Sequence, residues 1–194
     1  SRTLLREGPS ILDATVDRYI KEKVSLALIT GDMTKDGELT SHKGVIQRLD
    51  RLAKNGIKVL VVPGNHDVDN KQAFSYDGDK ATPVQNITAV DFKNLYNNFG
   101  YADALYTDSY SLSYVSEPLP GLRVICIDEF CSLNKSETKS WLYRQLDSAK
   151  VCGKKVVCMM HRNVVEHFDY EGTFTNYMTN DFAGIQQKML DSGV

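Results

Sequence analysis

Nothing in this 194-residue sequence stays apolar long enough to cross a bilayer. Runs such as 59–62 and 156–160 stop far short of the roughly 20 residues that a spanning helix needs. Basic clusters are missing as well. Lys and Arg number 23 against 25 Asp and Glu, a formal net charge of −2, so there is no electrostatic footprint for nucleic acid. A small anionic ligand escapes that argument. The four cysteines, Cys126, Cys131, Cys152 and Cys158, form no Cys-x-x-Cys pair. With Cys126 and Cys158 inside apolar runs, they read as buried small hydrophobes and fix no redox compartment. No Ser or Cys nucleophile motif occurs, which leaves covalent catalysis without a candidate. No signal peptide opens the chain, but Ser1-Arg2-Thr3 reads as internal to a longer protein. Cytoplasmic and exported origins therefore both stay open.

What is present is ordinary globular composition, 42% hydrophobic and 25% charged, in a length that suits one domain over residues 1–194. Strand and helix signals alternate. Ser10 suits an N-cap for a helix with Ile11, Leu12, Val16, Tyr19 and Ile20 on one face. Residues 26–30 and 59–62 read as strands buried on both sides, with a helix at 41–55 between them carrying Val45, Ile46, Leu49 and Leu52. That βαβ order predicts an α/β fold, a parallel sheet flanked by helices. Residues 67–88 read as a long polar loop with turn signals at Asp77-Gly78-Asp79 and Thr82-Pro83. Thr88 then caps a helix ending at Gly100, whose Phe92, Tyr96 and Phe99 read, with Tyr19, as core and not as a base-stacking platform. Strands at 111–115 and 122–128 form a hairpin through Pro118, Pro120 and Gly121. A helix over 136–150, a strand over 155–160 and a last helix from Asn180 complete the pattern.

Three polar clusters follow buried strands directly: Gly31-Asp32, Gly64-Asn65-His66-Asp67, and His161. In parallel α/β sheets, ligands gather outside the carboxyl ends of the strands, so these distant residues are expected to converge. A carboxylate, an amide oxygen and imidazoles together suit Mn, Zn or Fe. Each alone has a plainer reading. Asp32 is a turn residue, Asn65-His66 a turn with a solvent histidine, His161 a satisfied core histidine. It is the combination that favours a site. His42, beside Ser41, reads as a cap-region residue. His167 reads as exposed or substrate-facing, Arg162 as a surface salt-bridge residue, and Asp77-Gly78-Asp79 as a turn.

Ile29-Thr30-Gly31-Asp32 followed by Val62-Pro63-Gly64-Asn65-His66-Asp67 resembles the calcineurin-like metallophosphoesterases. Their signature runs Asp-x-His, Gly-Asp, Gly-Asn-His-Asp/Glu, His, then Gly-His-x-His. The resemblance implies that family's layered sheets flanked by helices, and two divalent metal ions (Mn, Fe or Zn). It further implies that Asp32 bridges the metals, that Asn65 and His161 bind the second one, that His66 contacts the phosphate and protonates the leaving oxygen, and that Asp67 orients His66. Asp-x-His and Gly-His-x-His are absent, so the domain is expected to be incomplete at both ends, with those motifs before Ser1 and beyond Val194. The implied activity is hydrolysis of a phosphomonoester or phosphodiester by a two-metal-activated hydroxide, on a small phosphate ester. Two metals neutralise the ester's charge and acidify water, and an acid opposite offsets charge on the leaving group. A nuclease is disfavoured by the charge balance. The alternative is a non-catalytic domain that keeps the fold to bind a partner or an anion. Substrate, native metal and oligomeric state are not legible, since specificity in a shared fold lies in its loops.

Overall fold

The computed structural model describes residues 6–129, 136–173, 178–179 and 181–194. The chain forms two compact units, Ser1–Ala102 and Asp103–Val194.

The first unit begins with helix α1 (Gly8–Glu22). Its N-cap is Glu7, not Ser10, and Pro9 sits in the first turn. Proline's fixed φ and missing N–H suit that position, so the helix starts earlier than a Ser cap would place it. Of its apolar face Val16 is fully buried, whereas Ile11 is exposed. Strand β1 (Leu26–Ile29), helix α2 (Leu39–Lys54) and strand β2 (Lys58–Val61) form the expected βαβ unit, with β1 and β2 parallel and Leu26 opposite Lys58. Ion pairs from Arg48 to Asp13 at 2.8 Å and from Arg51 to Asp13 at 3.2 Å join α2 to α1. Strand β2 is buried as expected, but β1 is not buried on both faces, since Leu28 is 36% exposed. Among the described residues β1 pairs only with β2, and of its side chains only Ala27 is fully buried.

Residues 67–88 are not one loop. They contain a hairpin of β3 (Phe74–Asp77) and β4 (Lys80–Pro83), with Gly78 in the left-handed region at φ 58°. These strands are almost wholly solvated, so they carry no apolar alternation for a pattern search to find. The turn itself falls at Gly78-Asp79, as the sequence suggests. Thr88 caps helix α3 (Ala89–Leu95) through a reciprocal capping box with Asp91. Beyond it a wide turn over Asn97–Tyr101 bends at Gly100, φ 119°, a conformation that favours glycine. Phe92, Tyr96, Phe99 and Tyr101 are buried together, and Phe92 stacks on Tyr96 with centroids 4.4 Å apart.

The second unit is built on a four-stranded sheet ordered β5 (Tyr106–Thr107), β6 (Tyr114–Leu119), β7 (Leu122–Cys126) and β8 (Lys155–Met159). β6 and β7 form the expected hairpin, and β7 runs parallel to β8 through helix α4 (Ser136–Val151). β6 starts later than 111 because Asp108 ties up that segment. Its carboxylate accepts from Ser111 Oγ at 2.7 Å and from the N–H of Tyr110 at 3.3 Å. Helix α5 (Phe182–Asp191) begins after Asp181, and the expected start at Asn180 lies outside the described residues. The core joins Val115 and Ile125 of the sheet, and Ile127 just past β7, to Trp141, Leu142 and Leu146 of α4 and to Ile185 and Met189 of α5. β8 is only half covered, with Val157 38% exposed. Burial pushes the thiol of Cys126, and that of the half-buried Cys158, up to about 12. Cys152, by contrast, is exposed in the turn after α4 and is no core residue; Cys131 lies outside the described residues. No helix among the described residues is long and apolar enough to cross a membrane.

Leu146 is fully buried in this core. Leu146→Ala should cost about 2–5 kcal/mol by lost burial and cavity formation. Urea unfolding followed by the fluorescence of Trp141, the sole tryptophan, reads it directly. A loss below about 1 kcal/mol would contradict the packing described.

Candidate active site

The polar loops after β1 and β2 are pressed together. A Cβ on Gly31 (φ 92°) would lie 2.3 Å from the backbone N of Gly64, and one on Gly64 would lie 2.2 Å from Asp32 Oδ1 and 2.4 Å from Asp32 N. Both positions therefore require glycine, because backbone cannot yield as a flexible side chain can. Asp32 is itself left-handed, φ 51°, a costly conformation for a residue with a Cβ. Its Oδ1 accepts the backbone N–H of His66 at 3.1 Å, so the first loop clasps the second. Thus Asp32, Asn65, His66 and Asp67 are gathered within the first unit, as the sequence predicts. His161 belongs to the second unit.

The structure corrects the role expected for Asp67. Its fully buried carboxylate accepts from Thr34 N at 3.0 Å and Thr34 Oγ1 at 2.9 Å on one oxygen, and from Gly64 N at 2.9 Å on the other. That leaves it serving the loops and not the imidazole of His66. Asp36 does that instead: its buried carboxylate lies 3.3 Å from His66 Nδ1, and its other contacts are Asn70 Nδ2 at 3.2 Å and the ammonium of Lys35. Burial works to raise the Asp36 carboxyl, but the hydrogen bonds from Lys35 and His66 outweigh it and hold the group below its ordinary value. The side chain of His66 is 46% exposed.

His42 is no cap-region residue. It is fully buried on α2, with Nε2 2.9 Å from the carbonyl oxygen of Asp67 and Nδ1 2.8 Å from Tyr96 Oη. Two signals were present in the sequence. His42 stands in register with the apolar stripe Val45, Leu49 and Leu52 of α2, and Asp36 precedes a glycine four residues after Asp32.

In the second unit, His161 is half-buried just past β8. Arg162 forms a salt bridge as expected, but with a buried partner and not on the open surface. Its N–H donates to the buried Glu129 Oε1 at 3.0 Å, and its guanidinium Nε approaches the same oxygen at 3.8 Å. Burial raises the Glu129 carboxyl, against the opposing charge of Arg162. His167 is exposed as expected, its Nδ1 held at 2.9 Å by the Asn163 amide, which also donates to Glu171 at 3.1 Å.

As oxygen donors, Asp32 and Asn65 suit a divalent cation. Asp67 does not, because three protein donors already occupy its oxygens. Among the described residues, no group of three or more His, Cys, Asp or Glu side chains stands close enough together to hold a metal ion.

Comparison with known proteins bears on this geometry. Residues 7–179 match the calcineurin-like phosphoesterase family. Over 88 residues the chain is 33% identical to a probable cyclic nucleotide phosphodiesterase of Vesicomyosocius okutanii subsp. Calyptogena okutanii and 32% identical to one of Ruthia magnifica subsp. Calyptogena magnifica. These matches take in 45% of this chain and 30% of each relative. Among solved structures, the fold is similar to a dimetal phosphatase from Danio rerio (TM-score 0.64, 15% identity, 96% of this chain and 68% of that one).

Two outcomes follow from the buried carboxylates. Asp67→Ala orphans the N–H groups of Thr34 and Gly64 and should cost about 3 kcal/mol or more in chemical denaturation; a loss under about 1 kcal/mol would contradict its role as a hub. For Asp36, a depressed folded-state value means that its contribution is fully present above the ordinary carboxyl value near pH 4 and is lost as pH falls through the lower folded value. Stability measured against pH should therefore lose part of its acid-side slope in Asp36→Asn, and an unchanged slope would refute the assignment.

Proposed function

The chain belongs to the calcineurin-like phosphoesterase family, and on that premise we propose that it carries part of the active site of a metal-dependent phosphoesterase. The observation that supports this reading best is the clasp between Asp32 and the His66 loop, backed by the Asp36–His66 pair. Asp32 and Asn65 are the proposed oxygen ligands, and His161 the proposed imidazole ligand, of a pair of divalent cations. When bound, such cations neutralise phosphate charge and acidify water. Everything else falls to the chain's own side chains. With Nδ1 directed at the Asp36 carboxylate, Nε2 of His66 is the nitrogen proposed to face the leaving oxygen. Asp36 thus orients the imidazole, while Asp67 fixes the loop that carries it. A phosphodiester is the first substrate to test, and a cyclic nucleotide belongs beside it because that is what the similar curated proteins are named for. A non-catalytic domain is the second reading. It is favoured by the lack of a cluster of three or more metal-binding side chains among the described residues.

Hydrolysis of an aryl phosphodiester across a manganese titration tests the proposal. Metal-dependent turnover should fall by about 100-fold or more in Asp32→Ala and in His66→Ala. If this chain is silent but a longer chain of the same reading frame is active and equally sensitive to both substitutions, the residue roles hold. Silence in both would favour the non-catalytic reading.

A further inference from the structure

We infer that His42 is a positioning residue of the candidate active site, joined with Tyr96 in a tautomer-locked relay that fixes the carbonyl of Asp67 and through it the loop presenting His66. The inference rests on the reading of that loop as catalytic.

The tautomer follows from elementary hydrogen-bond chemistry. A peptide carbonyl can only accept, so the nitrogen 2.9 Å from Asp67 O, Nε2, must carry the proton. Burial lowers the pKa of His42, which keeps the imidazole neutral. A neutral imidazole has one N–H, so Nδ1 must accept, and the hydroxyl of Tyr96 at 2.8 Å must donate. Burial also pushes the Tyr96 phenol up, so that hydroxyl keeps its proton. The order of donation is therefore fixed in one direction, from Tyr96 Oη–H to Nδ1, and from Nε2–H to the Asp67 carbonyl.

Packing holds the relay in place. Phe92 meets the imidazole edge-on at 6.1 Å and 89°, and Tyr96 does so at 5.6 Å and 79°. Tyr96 itself stacks on Phe92. The receiving carbonyl is hemmed in from another side, since a Cβ on Gly37 would come within 3.0 Å of Asp67 O. The loop after β1 and helix α2 thus meet at a single oxygen, with Tyr96 at the end of α3 bracing the histidine from behind. Its peptide plane, which joins Asp67 to Val68, cannot turn without breaking the relay, and Asp67 directly follows His66.

Neither His42 nor Tyr96 is exposed, so neither can contact substrate. Their loss should then lower kcat and leave KM unchanged, the pattern for a catalytic group held out of place. A core histidine that merely fills space would show no such split.

The test uses the 194-residue chain, with the imidazole followed by two-bond proton–nitrogen NMR correlation. The neutral Nε2–H tautomer is expected at His42. Tyr96→Phe removes only a hydroxyl; it should leave the proton on Nε2, held there by the Asp67 carbonyl, shift the Nδ1 resonance that loses its donor, and shift the backbone amide of Val68, whose peptide contains the Asp67 carbonyl. His42→Gln keeps a donor near Nε2 and should restore the Val68 amide in a Tyr96→Phe background. In the active form of the enzyme, kcat should fall roughly tenfold in Tyr96→Phe, with KM within about twofold of the parent. An Nδ1–H tautomer in the parent would overturn the relay, and so would a Val68 amide and kcat that ignore Tyr96→Phe. Absence of turnover in every form sinks the phosphoesterase reading instead, and the relay is still judged by the tautomer and the Val68 amide.

Discussion

The carboxylate of Asp67 lies beyond the reach of water, and a carboxylate so placed without partners would cost several kcal/mol. Three donors from two separate loops converge on it instead, two from Thr34 and one from Gly64. Much of the first unit takes its shape from that requirement. The loop after β1 must fold back so that Thr34 reaches the carboxylate, and the loop after β2 must turn sharply enough for Gly64 and Asp67 to meet. Pressing the two loops together leaves no room for a side chain at Gly31 or Gly64, and holds Asp32 in a left-handed conformation. The backbone carbonyl of the same residue then accepts a hydrogen bond from a buried histidine. One side chain that cannot be left unsatisfied thereby organises the residues proposed to do chemistry.

This division of labour separates two carboxylates that look interchangeable in the sequence. Asp67 adjoins His66 in the chain but points into the protein. Asp36, thirty positions away, delivers its oxygen to the imidazole. The distinction has a chemical consequence. A carboxylate saturated by peptide and hydroxyl donors is a structural anchor, whereas one shared between an ammonium and an imidazole orients that imidazole. Orientation of the His66 imidazole and closure of the loop are therefore carried by different residues.

Much of the architecture was legible because it is written in apolar periodicity. The βαβ unit, the hairpin of β6 and β7, the strand leading to His161 and helices α2 to α4 all have apolar faces, or glycines and caps that mark their ends. The hairpin of β3 and β4 was not legible, because strands with both faces in water need no apolar alternation. The start of α1 was misplaced because Pro9 at a helix start outweighs a Ser cap one residue later. The gathering of Asp32, Asn65, His66 and Asp67 was legible from glycine-flanked polar residues after buried strands. Which carboxylate faces the imidazole was not, since that depends on a loop path that no local pattern encodes. His42 illustrates the remaining gap. A polar residue in register with an apolar stripe reads as an interruption until its two partners, 25 and 54 positions away, are known.

A crystal grown with manganese and measured at an anomalous wavelength would test the central claim most directly, namely that the clasped loops of the first unit form a metal-binding edge. The account predicts an anomalous peak about 2.2 Å from the Asp32 carboxylate and from the Asn65 amide oxygen, with the carboxylate of Asp67 still bonded to Thr34 and Gly64. A peak on the carboxylate of Asp67, or none near Asp32 at saturating manganese, would contradict it.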